Sequence, residues 1–389
     1  MKTHSNYHYK SRWKRCLAAV FDAAGGVVRF LYRKIVPKPL VKDIRKILVI
    51  RNDHIGDIVM TRPAIRALHK KFPHAEIDLL VAEEAVPLFE HSREIHQVIP
   101  TRDGWFSKKS PFASQWKEFW RLVRFISRIG YDMAFDFRGD LRNILLMAFS
   151  HIPHRYGFGV TGGGFLLTGS VPYDRTIHQV LLNLSLLRPL HAAQDNKLLP
   201  FEYPRERSEQ FWKGAGQEQP STNLPRIVVH LGAGTAAKRW DTDSYRALIQ
   251  KLDSGDRGQI ILIGTEAEKE LLPDLKLNTI HMIDLRGKTK LEDLPVLFDV
   301  CDLYIGSDSG PAHIAAAQGL EVILLASGTN DIRVWYPWTE LLHILQHEVP
   351  CSPCGLTDCP VDGHPCMEKI SVEQVLAAAE LVLKKFRNR

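Results

Sequence analysis

Asp302-Leu303-Tyr304-Ile305-Gly306-Ser307-Asp308-Ser309-Gly310-Pro311-Ala312-His313, continued by Ile314-Ala315-Ala316-Ala317-Gln318-Gly319, reads as strand, tight loop and helix. Residues 303–305 form a short apolar run suited to a buried strand. Residues 307–311 are turn chemistry. The alanine-rich run that follows stops at Gly319, as a short helix does. In a parallel sheet such a unit points the free N–H groups of the helix start out of the carboxyl edge, where they and the helix dipole attract anions. Ser309 and Gly310 let a phosphate approach the backbone closely. Asp308, at the loop tip, can accept sugar hydroxyls, and His313 faces the same mouth from the first helical turn. The plainer alternative is that Ser309 or Asp308 caps the helix and His313 is packing.

The same pattern recurs upstream. Residues 226–231 are a strand, and Gly232-Ala233-Gly234-Thr235-Ala236-Ala237-Lys238-Arg239-Trp240 is a glycine-rich loop closing on two cations. A parallel sheet places this loop on the same edge as Ser309-Gly310. Two cations facing a helix start suit a diphosphate. Glu266, on a third loop at that edge, is placed to take ribose hydroxyls. Asp241-Thr242-Asp243 resembles a D-x-D metal motif, but its place before a helix makes Asp243 a capping residue.

The N-terminal half begins this pattern earlier. Residues 44–50 hold the apolar run Ile47-Leu48-Val49-Ile50. Arg51-Asn52-Asp53-His54-Ile55-Gly56-Asp57 is a loop, and 58–72 read as a helix before the next strand at 77–81. Strand–helix–strand order predicts a parallel sheet, with ligands at its carboxyl edge. Asp57 sits there, after a glycine and beside a helix start, where a carboxylate can act as a general base; the alternative is a helix-dipole charge. Arg62, Arg138 and Arg142, the last two after the strand at 132–137, are candidates to grip an acidic acceptor, or are solvated surface charge. Gly157-Phe158-Gly159-Val160-Thr161-Gly162 matches G-x-G-x-x-G literally. Residues 151–155 before it do not read as a buried strand and no helix clearly opens after it, so a dinucleotide site is rejected.

With 389 residues the chain suits two domains. Its net charge of +7 is concentrated at one end: residues 1–50 carry a net of +10 and the rest a net of −3. The basic excess therefore belongs to an N-terminal arm, and the composition excludes a globular nucleic-acid face. Residues 10–36 have apolar side chains at helical spacing among lysines and arginines, which suits an anionic membrane surface or a helix packed on the first domain. No run reaches a membrane span of about 18 residues. The chain reads as cytoplasmic, peripheral on the cytoplasmic face of the inner membrane. The expected divisions are a basic arm at 1–43, a first domain at 44–203 completed by the C-terminal helix 371–389, a linker at 204–225, and a second domain at 226–370.

Cys351, Cys354, Cys359 and Cys366 give C-x2-C-x4-C-x6-C, with prolines and glycines between. Four thiolates so spaced suit a structural zinc or iron, with His364 a substitute ligand. Two disulfides, or free thiols in a tight loop, are the alternatives.

Residues 46–51 through Gly56-Asp57 and Pro63-Ala64, then Lys238-Arg239-Trp240, then residues 307–313, together resemble the bacterial heptosyltransferases of glycosyltransferase family nine, from about residue 44 to the C-terminus. The resemblance implies an α/β GT-B fold: two Rossmann-like parallel-sheet domains facing a cleft. It implies inverting transfer of L-glycero-D-manno-heptose from ADP-heptose to an inner-core lipopolysaccharide acceptor, a lipid A–Kdo-type anionic glycolipid, with no cofactor required for catalysis. By position, Asp57 matches the family's base and Lys238 its diphosphate-binding lysine. Asp308 matches the residue holding the heptose. Ser309, Gly310 and His313 match diphosphate contacts, and Glu266 the ribose contact. Gly234 and Arg239 complete the expected donor site. Here the loop before Gly-Asp is Asn52-Asp53-His54-Ile55, where the family usually has small hydroxyl residues. A GT-B enzyme with another nucleotide sugar, or a non-catalytic nucleotide-sugar-binding protein at the membrane, are the other readings.

Overall fold

The computed structural model describes residues 7, 11–35, 43–102, 111–214, 224–254, 257–273, 275 and 282–387. It divides into two compact units, Met1–Lys197 and Leu198–Arg389. Residues 1–6, 8–10 and 36–42 of the basic arm, and 215–223 of the expected linker, lie outside the described residues.

The first unit holds six parallel strands: β1 (Lys46–Ile50), β2 (Glu76–Ala82), β3 (Gln97–Thr101), β4 (Met133–Asp136), β5 (His154–Gly157) and β6 (Gly169–Ser170). Their order is β3-β2-β1-β4-β5-β6. Ile47, Leu48, Val49 and Ile50 are completely buried. That is why β1 reads as an unbroken apolar run: both faces of a doubly wound sheet are covered. β2 and β4 flank β1, so the winding direction reverses there, and the loop leaving β1 opens at the switch point where such sheets bind ligands.

Residues 154–157 are a strand, contrary to the sequence reading, because His154 is buried and Arg155 turns its guanidinium onto the carbonyls of Leu166 and Ile152. After it comes only a 3-10 turn, Gly164–Leu166, so the glycine loop still has no helix to cradle a dinucleotide. It receives the N-terminal helix Arg12–Ile35 instead. Ala18 is buried against Gly162, Phe21 meets Phe165 edge-on at 5.1 Å, and the Gly163 N–H donates to Asp22 Oδ1 at 2.6 Å. Gly25-Gly26 does not interrupt this helix; a Cβ at Gly25 would lie 2.4 Å from the Phe165 ring, so the glycine admits the contact.

The second unit repeats the topology with β7 (Arg226–His230), β8 (Gln259–Ile263), β9 (Met282–Asp284), β10 (Leu303–Ser307), β11 (Glu321–Ala326) and β12 (Leu342–Gln346), all parallel, in the order β12-β11-β10-β7-β8-β9. The helix Val372–Arg387, within the 371–389 segment expected to complete the first domain, packs in this unit. Val375, Ala379, Val382 and Leu383 form one helical stripe buried in the second core with Leu248 and Leu252. Lys251–Glu373, Arg257–Glu380 and Lys385–Glu321 ion pairs flank it. The expected linker is also partly structured. The helix Arg205–Gly214 buries Phe211 and Trp212, and Arg207 reaches Asp293 at 3.2 Å.

Candidate active site

In the first unit Asp57 lies in the first turn of the short helix Ile55–Val59, and it is buried. Arg51, from the end of β1, places Nη2 3.0 Å from Asp57 Oδ1 and Nε 3.0 Å from Asp53 Oδ1; it also donates to the Phe137 carbonyl. The exposed His54 brings Nδ1 to 3.4 Å from Asp57 Oδ2. That hydrogen bond is the main cause of a raised His54 pKa. Burial pushes Asp53 up to about 6, against the pull of Arg51. A buried polar lattice fixes the loop from behind. Asn52 meets Asn143, which donates to Asp136 Oδ1 at 3.0 Å; Thr61 Oγ1 donates to the Asp57 carbonyl, and Asn183 donates to Thr61 Oγ1. Asp57 is therefore a preorganised carboxylate with the Arg51 cation on one side and the His54 imidazole on the other, as well as a first-turn charge that favours the helix dipole. Arg51 was not foreseen, although its place directly after a central strand is the signal for it.

Of the expected acceptor residues, Arg62 opens the helix Arg62–Lys71 and is half-buried. Arg138 and Arg142 both turn to Asp140, at 3.9 and 3.1 Å. Asp140 caps the helix Leu141–Phe149.

In the second unit Lys238 and Asp308 meet. Lys238 Nζ donates to Asp308 Oδ2 at 2.6 Å, Asn330 Nδ2 donates to the same oxygen at 3.0 Å, and His313 Nε2 stands 3.8 Å from Oδ1. Burial alone would raise the Asp308 pKa, but His313 and Lys238 hold it well below the carboxylate range. Ser309 occupies the cap of the helix Gly310–Gln318 without its side chain capping it; its hydroxyl lies 3.4 Å from His230 Nδ1. The start of that helix is thus not covered by a side-chain cap, and Pro311 has no N–H, so Gly310 presents the amide of this turn. Thr235 Oγ1 and His313 Nδ1 are sealed from solvent without a hydrogen-bond partner, which suits loops that close on a ligand. Thr235 and Asn330 escaped the sequence reading, being a threonine and an asparagine in turns.

Gly234 and Arg239 are exposed on the Lys238 loop. Glu266 is exposed at the first position of the helix Glu266–Lys269 and pairs with Lys269 at 3.7 Å. Glu268, in the same turn, is the buried-side carboxylate: it faces His230 at 3.6 Å and closes a capping box with Thr265. Asp241, and not Asp243, is the cap of the helix Thr242–Asp253.

All four cysteines of the 351–366 loop are free thiols; Cys366 is buried and Cys351 exposed. Burial raises the Cys366 pKa, the backbone contact at Gly328 opposes it, and the Cys359, Cys351 and Cys354 thiols add smaller upward pushes. Among the described residues, however, no three cysteine, histidine, aspartate or glutamate side chains are arranged to hold a metal ion. The loop as it stands does not fit a ready tetrahedral set.

Two doubly wound parallel sheets, each with loops at its carboxyl edge, are the architecture of the GT-B fold. Comparison with known proteins narrows this. The sequence profile of glycosyltransferase family 9 (heptosyltransferase) matches residues 119–364, and the chain belongs to that family. It is 28% identical over 297 residues to lipopolysaccharide heptosyltransferase 3 of Escherichia coli K12, covering 73% of this chain and 83% of that protein. Its fold is similar to a family 9 glycosyltransferase from Veillonella parvula, with a TM-score of 0.76 and 21% identity, covering 89% of this chain and 99% of that one. It is also similar to E. coli ADP-heptose LPS heptosyltransferase II, with a TM-score of 0.70 and 21% identity, covering 87% and 99%.

Proposed function

We propose that this glycosyltransferase moves L-glycero-D-manno-heptose from ADP-heptose to an inner-core lipopolysaccharide acceptor, with inversion. The observation that carries the reading is the Lys238–Asp308 pair beside the start of the Gly310–Gln318 helix. A cation, an uncapped helix start and a carboxylate that stays charged are the groups a sugar nucleotide requires. Support for heptose comes from the family and from the printed activities of its relatives.

The reaction is a single displacement. The acceptor oxygen attacks the anomeric carbon, its proton passes to Asp57, and the bond to the diphosphate breaks. Lys238 and the Gly310 amide, with Arg239, Ser309 and His313, receive the charge on the leaving ADP, while Asp308 holds heptose hydroxyls and Glu266 the ribose. Preorganised donors of this kind are worth about 3–4 kcal/mol each. Arg62, Arg138 and Arg142 attract the anionic acceptor. Among the described residues no helix is long and apolar enough to cross a membrane; the basic N-terminal helix brings the enzyme to the anionic inner-membrane surface, where a glycolipid acceptor resides.

Calorimetry with ADP-heptose against UDP-, GDP- and other ADP-sugars, then ADP release with a Kdo-bearing lipid, tests this. Selective ADP-heptose binding with turnover supports it. Preference for another sugar nucleotide removes the heptose assignment and keeps the Asp57 chemistry. A structural zinc or iron on Cys351, Cys354, Cys359 and Cys366 is a separate proposal, supported by their sequence spacing alone; the thiols as placed would have to draw together around the ion. Protein purified without chelator should carry one equivalent, and less than about a tenth rejects a tight site.

A further inference from the structure

We infer that the cysteine-rich loop is a positioning element for the donor site, and that His364 sets the turn carrying Lys238. This rests on the reading that Lys238 and Asp308 hold the donor.

The loop grips Ala237, the residue before Lys238, by both of its backbone groups. The Ala237 N–H donates to the Thr357 carbonyl at 2.9 Å. The Ala237 carbonyl lies 3.1 Å from His364 Nε2, and since a carbonyl only accepts, Nε2 carries the proton. Ala236–Lys238 is a single 3-10 turn, too short to hold its own geometry by internal bonds. Ala237 is itself buried, so its two backbone groups need these partners.

The same loop grips the segment that delivers Asn330. The N–H groups of Cys354 and Gly355 donate to the carbonyls of Gly328 and Thr329, at 3.0 and 2.9 Å. There is no slack at this junction: a Cβ on Gly328 would lie 3.1 Å from Val349 Cγ2 and 3.5 Å from Cys366 Cβ. The two segments held in this way then converge on one atom, because Lys238 Nζ and Asn330 Nδ2 both donate to Asp308 Oδ2. The loop thus stands behind both neutral and charged partners of Asp308 while touching Asp308 through neither. His364 is a positioning residue, one step removed from the ligand.

His364 has φ +38°, and its backbone starts the short helix Pro365–Glu368. Ala, Asn and Gln all keep a Cβ at this left-handed position, where Asn is the best tolerated of the three, so the Asn variant tests the bond to Ala237 with the least backbone strain. Gln places an amide N–H near the position of Nε2; Ala removes the donor, and Asn is too short to reach. ADP binding by calorimetry, donor KM and acceptor KM are measured for the whole protein and for His364→Ala, His364→Asn and His364→Gln, at a temperature well below every melting point. The expected result is ADP affinity and donor KM worse by about tenfold in the Ala and Asn variants, in line with loss of one hydrogen bond. Acceptor KM stays unchanged and His364→Gln returns both donor constants to near the parent values. Should His364→Ala fail to fold, the Asn and Gln pair carries the same comparison. Parent-like ADP affinity in folded Ala or Asn variants, even with lowered melting points, overturns the inference and leaves the donor reading intact. If the parent protein binds none of ADP, UDP or GDP, the donor reading itself fails and the inference goes with it.

Discussion

Lys238 Nζ donates to Asp308 Oδ2 at 2.6 Å, and the two residues lie on the loops that follow β7 and β10, the neighbouring central strands of the second sheet. The pair is therefore a product of topology: only the crossover that puts β10 beside β7 brings together residues seventy positions apart in the chain. Both side chains are largely withdrawn from solvent, so each carries the other's charge.

Lys238→Met should consequently do two things. Donor affinity falls by at least about a hundredfold, since a charge-assisted contact to phosphate and the geometry of Asp308 go together. Stability also falls, by about 3 kcal/mol, because a mostly buried carboxylate loses its cation. Adding Asp308→Asn to that variant should recover much of the stability but none of the donor binding. Urea unfolding and ADP calorimetry on the two single variants and the double variant check the coupling.

Asp57→Asn keeps the shape of the side chain and removes its basicity. Transfer should fall by about a hundred- to ten-thousand-fold, while ADP binding stays within about twofold, because the residues proposed to hold the donor belong to the other unit. Arg51 retains Asp53 at 3.0 Å, so the loop keeps a carboxylate partner for its buried cation. Single-turnover ADP release with excess enzyme separates the chemical step from binding; parent-like turnover would remove Asp57 from the mechanism.

Elements buried on both faces were legible. Ile47 to Ile50 and Leu303 to Ile305 announce themselves because every side chain is apolar, and the glycine and proline turns after them mark the sheet edge. β5 was not legible, since a short strand near the sheet edge tolerates His154 and Arg155 once their polar ends find carbonyls and neighbours. The helix Arg205–Gly214 reads as a polar linker because only Phe211 and Trp212 reach the core. The stripe Val375, Ala379, Val382 and Leu383 says that a face is buried, but not against which sheet. At the site, residue types and loop positions pointed to Asp57, Lys238 and Asp308. Asn330, Thr235 and Arg51 matter through pairings that only the folded chain creates.

Asp136 is completely buried at the end of β4, and burial pushes its pKa up to about 7, with Asn143 and the Arg138 N–H pulling the other way. Its Oδ2 has no hydrogen-bond partner. The folded state therefore favours the protonated acid relative to the unfolded chain. The stability this contributes is complete below about pH 4 and is lost as pH rises through about 7, at up to about 1.4 kcal/mol per pH unit. Asp136→Asn removes the ionisation while keeping an oxygen for Asn143. Its urea midpoint should change less than the parent's between pH 5 and pH 8; parallel pH curves for the two proteins would show that Asp136 does not titrate in this range.

The N-terminal helix offers the last test. Its inner face is taken by the glycine loop, through Ala18, Phe21 and Asp22. Its outer face leaves Trp13, Leu17, Val20 and Val27 59–67% exposed, at spacings that make one helical stripe, with Arg12 and Lys14 exposed beside it. An apolar stripe flanked by cations matches the boundary of an anionic bilayer, where apolar burial and attraction to lipid headgroups act together. Each apolar side chain entering the bilayer contributes roughly 1.5–3 kcal/mol. Replacing Trp13, Leu17 and Val20 together with serine should therefore weaken flotation with phosphatidylglycerol-containing vesicles by about a hundredfold or more. The parent should bind less tightly at high salt, through screening of the basic component. None of the three substituted residues carries the Asp22–Gly163 contact, so melting behaviour should stay within about 0.5 kcal/mol of the parent at each site. Unchanged flotation of this variant and of a 1–40 deletion would leave the helix with a packing role alone.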